Sequence, residues 1–206
     1  MSYFYIYYPS KMRGVILLLV CMVLLSSGNT ANTKLTYDVI RNGDVIGYLQ
    51  ASKANNGNLV EFVTESSVSV RILMSFSMYS KVTGSFMNGV LVNGSAIRKV
   101  NGHNKVKTEI LWQNNHYVLK EDKEQKQIHE KITYTTACLF NQEPVGLTRI
   151  FSENFGKFIT LKEVRPHYYE LHLPDGNKNY YSYANGICTG AEVNTNFTKA
   201  FFRLKK

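Results

Sequence analysis

The sequence predicts an all-β fold: a curved antiparallel meander of about ten strands, shaped as a half-barrel or β-roll. One irregular or short helical segment interrupts it, and a signal helix precedes it. Three observations lead there. Asn-Gly dipeptides recur at Asn42, Asn56, Asn88, Asn93, Asn101 and Asn185, with Asp175-Gly176 in addition, and both dipeptides tolerate the positive φ of tight hairpin turns. Between these turns, apolar and polar residues alternate with the period of two that leaves one sheet face dry and the other wet. Beyond the first thirty residues no helical periodicity lasts over a useful length, and links of about two to five residues leave no room for the crossovers that parallel strands require.

The elements follow in order. Val15 to Leu25 is an unbroken apolar run, preceded by Lys11 and Arg13 and followed by Ser26, Ser27 and Gly28. That is the order of charged, apolar and small-residue regions in a secretory signal. The run falls short of the roughly 20 apolar residues that cross a bilayer, so no transmembrane anchor is expected in the mature chain. Residues 1–28 are assigned as the signal peptide, with Met12 as an alternative start, and residues 29–206 as a single β domain, exported to the periplasm or beyond the cell. Cys21 does not follow the small residue that lipoprotein cleavage wants; Val20 stands there.

Leu35, Tyr37 and Val39 alternate with polar neighbours before the first turn, and Val45 to Ala51 resumes after it. Val68, Val70, Ile72, Met74, Phe76 and Met78 form the clearest alternation and are read as one strand. Further strands are expected at Val106–Trp112, Tyr117–Lys120, Ile128–Tyr134, Lys157–Val164, His167–Leu173, Lys178–Tyr183 and Thr195–Leu204. Thr136 to Gly156 breaks the alternation with Pro144 and two glycines. A structureless loop of that length is unusual in a compact domain, so a short helix capped by Thr148 or Ser152, or an ordered crossing segment, is expected.

Charge and cysteines bound the partners. The chain has 24 basic and 15 acidic residues, for a formal charge of +9, and processing after Gly28 lowers it to +7. Scattered lysines without an arginine-aromatic block, in an exported protein, argue against nucleic acid; an anionic membrane or glycolipid surface suits the compartment better. Cys138 and Cys188 remain after processing, and outside the cytoplasm they have two possible states, one disulfide or two buried thiols.

The residues point away from catalysis. His103, His116, His129, His167 and His172 form no metal-type pair, and the odd separation of His167 from His172 puts them on opposite faces of a strand. No Gly-x-Ser-x-Gly elbow occurs, and no spacing fixes Glu143 and Glu153 as a glycosidase pair. No enzyme activity, cofactor or metal is therefore expected. Tyr168, Tyr169, Tyr180, Tyr181 and Tyr183 flank one turn, which cross-strand pairing explains; a sugar-stacking platform would use the same rings. Met74, Phe76 and Met78 form a flexible apolar stripe. With Phe140, Phe151 and Phe155 of the irregular segment across from it, this stripe would line a pocket for lipid or another apolar ligand. The alternative is a structural protein, or one that binds an envelope partner, with the same space filled.

The chain also resembles a group of uncharacterised exported proteins of Gram-negative bacteria, a domain of unknown function. The resemblance rests on Gln142-Glu143-Pro144, Phe151-Ser152-Glu153 with Gly156, Leu173-Pro174-Asp175-Gly176, Asn179-Tyr180-Tyr181 and Asn185-Gly186. At the start, Tyr37, Asn42-Gly43 and Gly47 add to it. It implies a curved antiparallel sheet similar in outline to periplasmic carriers of lipid or lipoprotein chains, and it carries no catalytic residue.

Overall fold

The turn dipeptides act where the alternation puts them. Asn42, Asn88, Asn101 and Asn185 all take φ near +50°, and Gly57 and Gly176 supply the positive φ at their own turns, so each closes a tight hairpin. The structure is a computed structural model that describes residues 32–71, 75–122, 124–194 and 199–205. The signal segment 1–28 and Met74 lie outside the described residues.

Fourteen strands form among those residues: β1 (Thr33–Arg41), β2 (Asp44–Asn56), β3 (Leu59–Arg71), β4 (Ser75–Met87), β5 (Val90–Val100), β6 (His103–Gln113), β7 (His116–Glu121), β8 (Glu124–Ile128), β9 (Arg149–Ser152), β10 (Lys157–Arg165), β11 (Tyr168–His172), β12 (Lys178–Ala184), β13 (Ile187–Asn194) and β14 (Lys199–Leu204). They make one antiparallel, curved sheet in the order β8-β7-β6-β5-β4-β3-β2-β1-β14-β13-β12-β11-β10-β9. The sheet does not close, because β8 and β9 are its two edges. It curls far enough that Gly156, in the β9–β10 turn, lies against the side chain of Leu119 in β7.

The expected ten strands are thus corrected to fourteen, for physical reasons visible in the pairing. The stretch from Val68 to Met78 is two strands of a hairpin: Val68 faces Met78 and Val70 faces Phe76. Partners on these two strands share parity, so the apolar alternation of the sequence continues in phase from β3 to β4, and no Gly, Asn or Pro stands between them. Asn93-Gly94 is no turn but lies inside β5. β13 begins directly after the Asn185-Gly186 turn and was hidden in a stretch with few large apolar residues.

The core lies on the concave face. Tyr37, Val39, Leu49, Ala51, Phe62, Val82, Phe86, Ile110, Leu119, Leu161, Leu171 and Ala191 are buried there together. Between β8 and β9 the chain does not turn tightly. Residues 129–148 instead cross that face as a strap, whose single regular element is a 3-10 turn over Thr136–Cys138. No helix capped by Thr148 or Ser152 forms; Arg149 to Ser152 is β9.

Candidate functional site

An irregular segment laid on a sheet brings buried backbone groups that no ladder satisfies, and each must find a partner. Here tyrosines supply many of them. Tyr117 donates its hydroxyl to the Leu91 carbonyl at 3.0 Å and accepts the Ile132 amide at 3.2 Å, while the Leu91 amide donates to the Ile132 carbonyl. Tyr37 donates to the Cys188 carbonyl at 2.7 Å, with the Phe140 carbonyl 3.3 Å away. Tyr183 donates to the Leu139 carbonyl at 2.8 Å, and Tyr134, within the strap, donates to the Gln142 carbonyl. Burial pushes all four phenols above their ordinary pKa, so each stays a neutral donor. The rings meanwhile fill the concave space, Tyr37 packing edge-on against Phe140 at 5.0 Å.

The two glutamates are separately engaged. Glu153 is fully buried and accepts from the Thr136 amide at 3.1 Å, the Thr136 hydroxyl at 2.5 Å and the Ala137 amide at 3.4 Å. It thereby satisfies the open end of the 3-10 turn. Glu143 accepts the Tyr169 hydroxyl at 2.9 Å and faces Nδ1 of His167 at 2.9 Å, pinning the end of the strap to the β10–β11 turn, where His167 holds φ at +62°. Among the described residues, no three His, Cys, Asp or Glu side chains converge as metal ligands.

The six residues expected around a pocket separate. Phe140 is 6% exposed, with Tyr37, Tyr181 and Phe202 as its ring neighbours, and Phe151 is fully buried against Phe158. Both are core side chains that fill space rather than border it. Phe155 is half-buried in the β9–β10 turn. Phe76, 42% exposed, and Met78, half-buried, stand apart from them on the inner face near the far end of β4. A small cleft of about 90 Å³ lies on the outer face between Glu109, Leu111, Gln113, Val118 and Lys120.

What the strap leaves uncovered is the sector of the inner face toward the β3–β4 and β5–β6 turns. Register lines its rows up across the strands. One runs Leu49, Ser66, Ser80, Arg98, Val106, and the next Gly47, Val68, Met78, Val100, His103. Leu49, Ser66 and Val68 are buried, so the partly exposed side chains of these rows lie on β4 to β6. Val70 faces Phe76 beyond them. The strap sits one row further in, where the Thr64 hydroxyl donates to the Ala137 carbonyl at 3.3 Å.

Cys138 and Cys188 are two buried free thiols and not a disulfide. Cys188 donates its thiol to the Gly190 carbonyl at 3.3 Å, and desolvation pushes both thiols up to about 12. A thiolate is the reactive form, so in the native protein neither should react with a disulfide reagent within minutes, while both should react after denaturation. A non-reduced peptide linking Cys138 to Cys188 would overturn this. The five clustered tyrosines divide between the faces. Tyr169, Tyr181 and Tyr183 are buried, whereas Tyr168 and Tyr180 stack on the outer face at 5.9 Å with the Arg165 guanidinium 4.5 Å from the Tyr168 ring.

The family model for a domain of unknown function, DUF6134, matches residues 37–205. The chain belongs to that family. The match begins at Tyr37 and runs through the last strand, so the DUF6134 domain takes in the strap and all its tyrosine partners. Among solved structures, the chain is similar to a beta-barrel-like protein of domain of unknown function DUF1849 from Brucella abortus. The two are 12% identical with a TM-score of 0.47, over 84% of this chain and 95% of that one. No curated protein matches.

Proposed function

We propose that this DUF6134 protein is exported, as its charged and apolar leader indicates, and acts there as a non-catalytic binding protein for an apolar or amphiphilic envelope ligand. The observation that carries the reading is the uncovered inner sector. Phe76, Met78, Val70 and Val100 face the concave side yet remain partly exposed, and a cluster of exposed apolar side chains on a soluble domain marks a contact surface. The strap supports it by stopping one row short of this sector, at the Thr64 hydrogen bond to the Ala137 carbonyl. Filling of the central concavity by Phe140 and Phe151 argues against a deep pocket, so the ligand would lie across the sector near its rim.

A second reading, an envelope protein that binds a protein partner, is favoured by a different feature. Ile40 faces both Val45 and Phe201 across the strands, and Val45 and Phe201 are exposed on the outer face. One experiment tests both. Protein recovered from outside the cytoplasm should begin near Asn29 by N-terminal sequencing, and native mass spectrometry of it should show a co-purifying apolar small molecule. An intact leader on that material would overturn export. A bare mass, with a protein retained on the outer face, would transfer the function to partner binding.

A further inference from the structure

We infer that the uncovered inner sector binds a long-chain carboxylate, with Arg98 holding the head group and the apolar rows of β3 to β6 receiving the chain; this rests on the binding function proposed above.

Arg98 lies on the inner face: it follows fully buried Ala96 by two residues on β5, and its register partners are Ser80 on β4 and Val106 on β6. A half-buried guanidinium loses part of its hydration and normally recovers it from a carboxylate. Arg98 has no hydrogen-bond or ion-pair partner among the described residues. Glu121, an acid two strands away on the same face, is paired with Lys126 at 3.7 Å. Most other acids are engaged as well: Glu65 with Lys81, Asp38 with Lys205, Glu170 with Lys178 and Glu192 with Lys199. The position thus offers a fork of donors, suited to bidentate capture of a planar anion, and no described residue answers it.

The surroundings define the rest of the ligand. A small polar anion would be met by further polar side chains. In Arg98's row only Ser66 and Ser80 are polar and Val106 is apolar; outward of it Val100, Met78, Phe76 and Val70 are apolar, with His103 opposite Val100 beside the β5–β6 turn. From β6 to β3 the sector spans three inter-strand spacings, about 14 Å. That is room for an extended acyl chain beside a single charged head. Thioether and phenyl groups adapt to a flexible chain, and the strap stops one row short of the arginine, leaving the head-group position open to solvent. An amphiphile with one anionic end and an unbranched tail matches a lone cation at one margin of an apolar strip.

Calorimetric titration with dodecanoate and with dodecanol, both below self-association, tests this on the purified protein. The wild type should bind dodecanoate at least about tenfold more tightly than the alcohol, the worth of a charged hydrogen bond. Arg98→Gln should remove that preference and leave dodecanol binding unchanged. Met78→Ser should weaken both by about fivefold or more through lost apolar burial. Lys120→Gln on the outer face should weaken neither. Equal affinity of the wild type for acid and alcohol, which needs no variant to observe, would overturn the carboxylate assignment and leave a neutral apolar ligand for the proposed function. No binding of either probe would overturn the sector as a binding surface altogether.

Discussion

Gly47→Ala should cost the fold about 3 kcal/mol and lower the melting temperature by roughly 6 to 12 °C. A Cβ at Gly47 would stand 2.1 Å from the Ser67 carbonyl oxygen and 2.8 Å from the Val68 Cα. Both are backbone atoms of β3, so no rotamer change relieves the contact, and the two strands would have to part. The approach has a local origin. The β1–β2 register shifts between Val39 and Ile40, and Gly47 is the residue paired with Val39 at that shift. Gly43→Ala is the control. Gly43 holds φ at +91° with no atom near its missing Cβ, so there only left-handed strain acts, costing about 1 kcal/mol. Thermal melts of the two variants should differ clearly; equal melts would mean that β2 and β3 do not approach as described.

The second large effect is expected at Glu153. Glu153→Ala removes the acceptor of the Thr136 amide, the Thr136 hydroxyl and the Ala137 amide, and it leaves a hole in the core. Stranding those donors should cost about 3 kcal/mol or more, whereas Glu153→Gln keeps one acceptor in place and should cost much less. The pH dependence has a definite sign. Burial raises the carboxyl above its ordinary pKa, outweighing the hydrogen bonds from Thr135 and Thr136 that lower it. The folded state therefore holds this proton more tightly than the unfolded state does. The resulting stabilisation is complete below the unfolded carboxyl value of about 4.3 and is lost as pH rises through the raised folded value. Denaturant melts should show the wild type losing ground to Glu153→Gln as pH rises over that window. The opposite slope would mean that the hydrogen bonds prevail over desolvation.

The sheet was legible where its chemistry is local. Asn42-Gly43, Asn88-Gly89, Asn101-Gly102 and Asn185-Gly186 each announce a turn, because the conformation they favour is the one the hairpin needs. The division of this stretch into β3 and β4 was not legible, since the residues between them are apolar and the alternation continues in phase. The strap was recognised as irregular, but its partners lie far off in sequence. Tyr37 reaches a carbonyl 103 residues away and another 151 residues away, and no spacing of two or 3.6 encodes that. The clustered tyrosines do pair across strands as expected, Tyr168 stacking on Tyr180 and Tyr169 facing Tyr181. For the same reason, however, the sequence did not reveal that Tyr37, Tyr117, Tyr134 and Tyr183 donate their hydroxyls to backbone carbonyls. Phe76 and Met78 were assigned to the correct face but given the wrong neighbours, because alternation fixes a side and not a depth. Arg98 went unremarked. An arginine at an inward position signals something only once the sheet shows what lies across from it.

The pairing of β1 with β14 also bears on how the molecule assembles. Twelve of the thirteen strand pairings join strands that are consecutive in the chain, so their contacts can form as soon as each hairpin exists. Tyr37 meets Leu204, and Val39 meets Phe202, across almost the whole length of the domain. Contacts so distant carry a loop-closure entropy that slows folding. The two arms of the meander can therefore zip early and independently, while their union along this one seam waits for the final strand. Until then β1 keeps a bare outer edge, and during that interval a nascent chain is most open to pairing with another copy of itself or to capture by a chaperone.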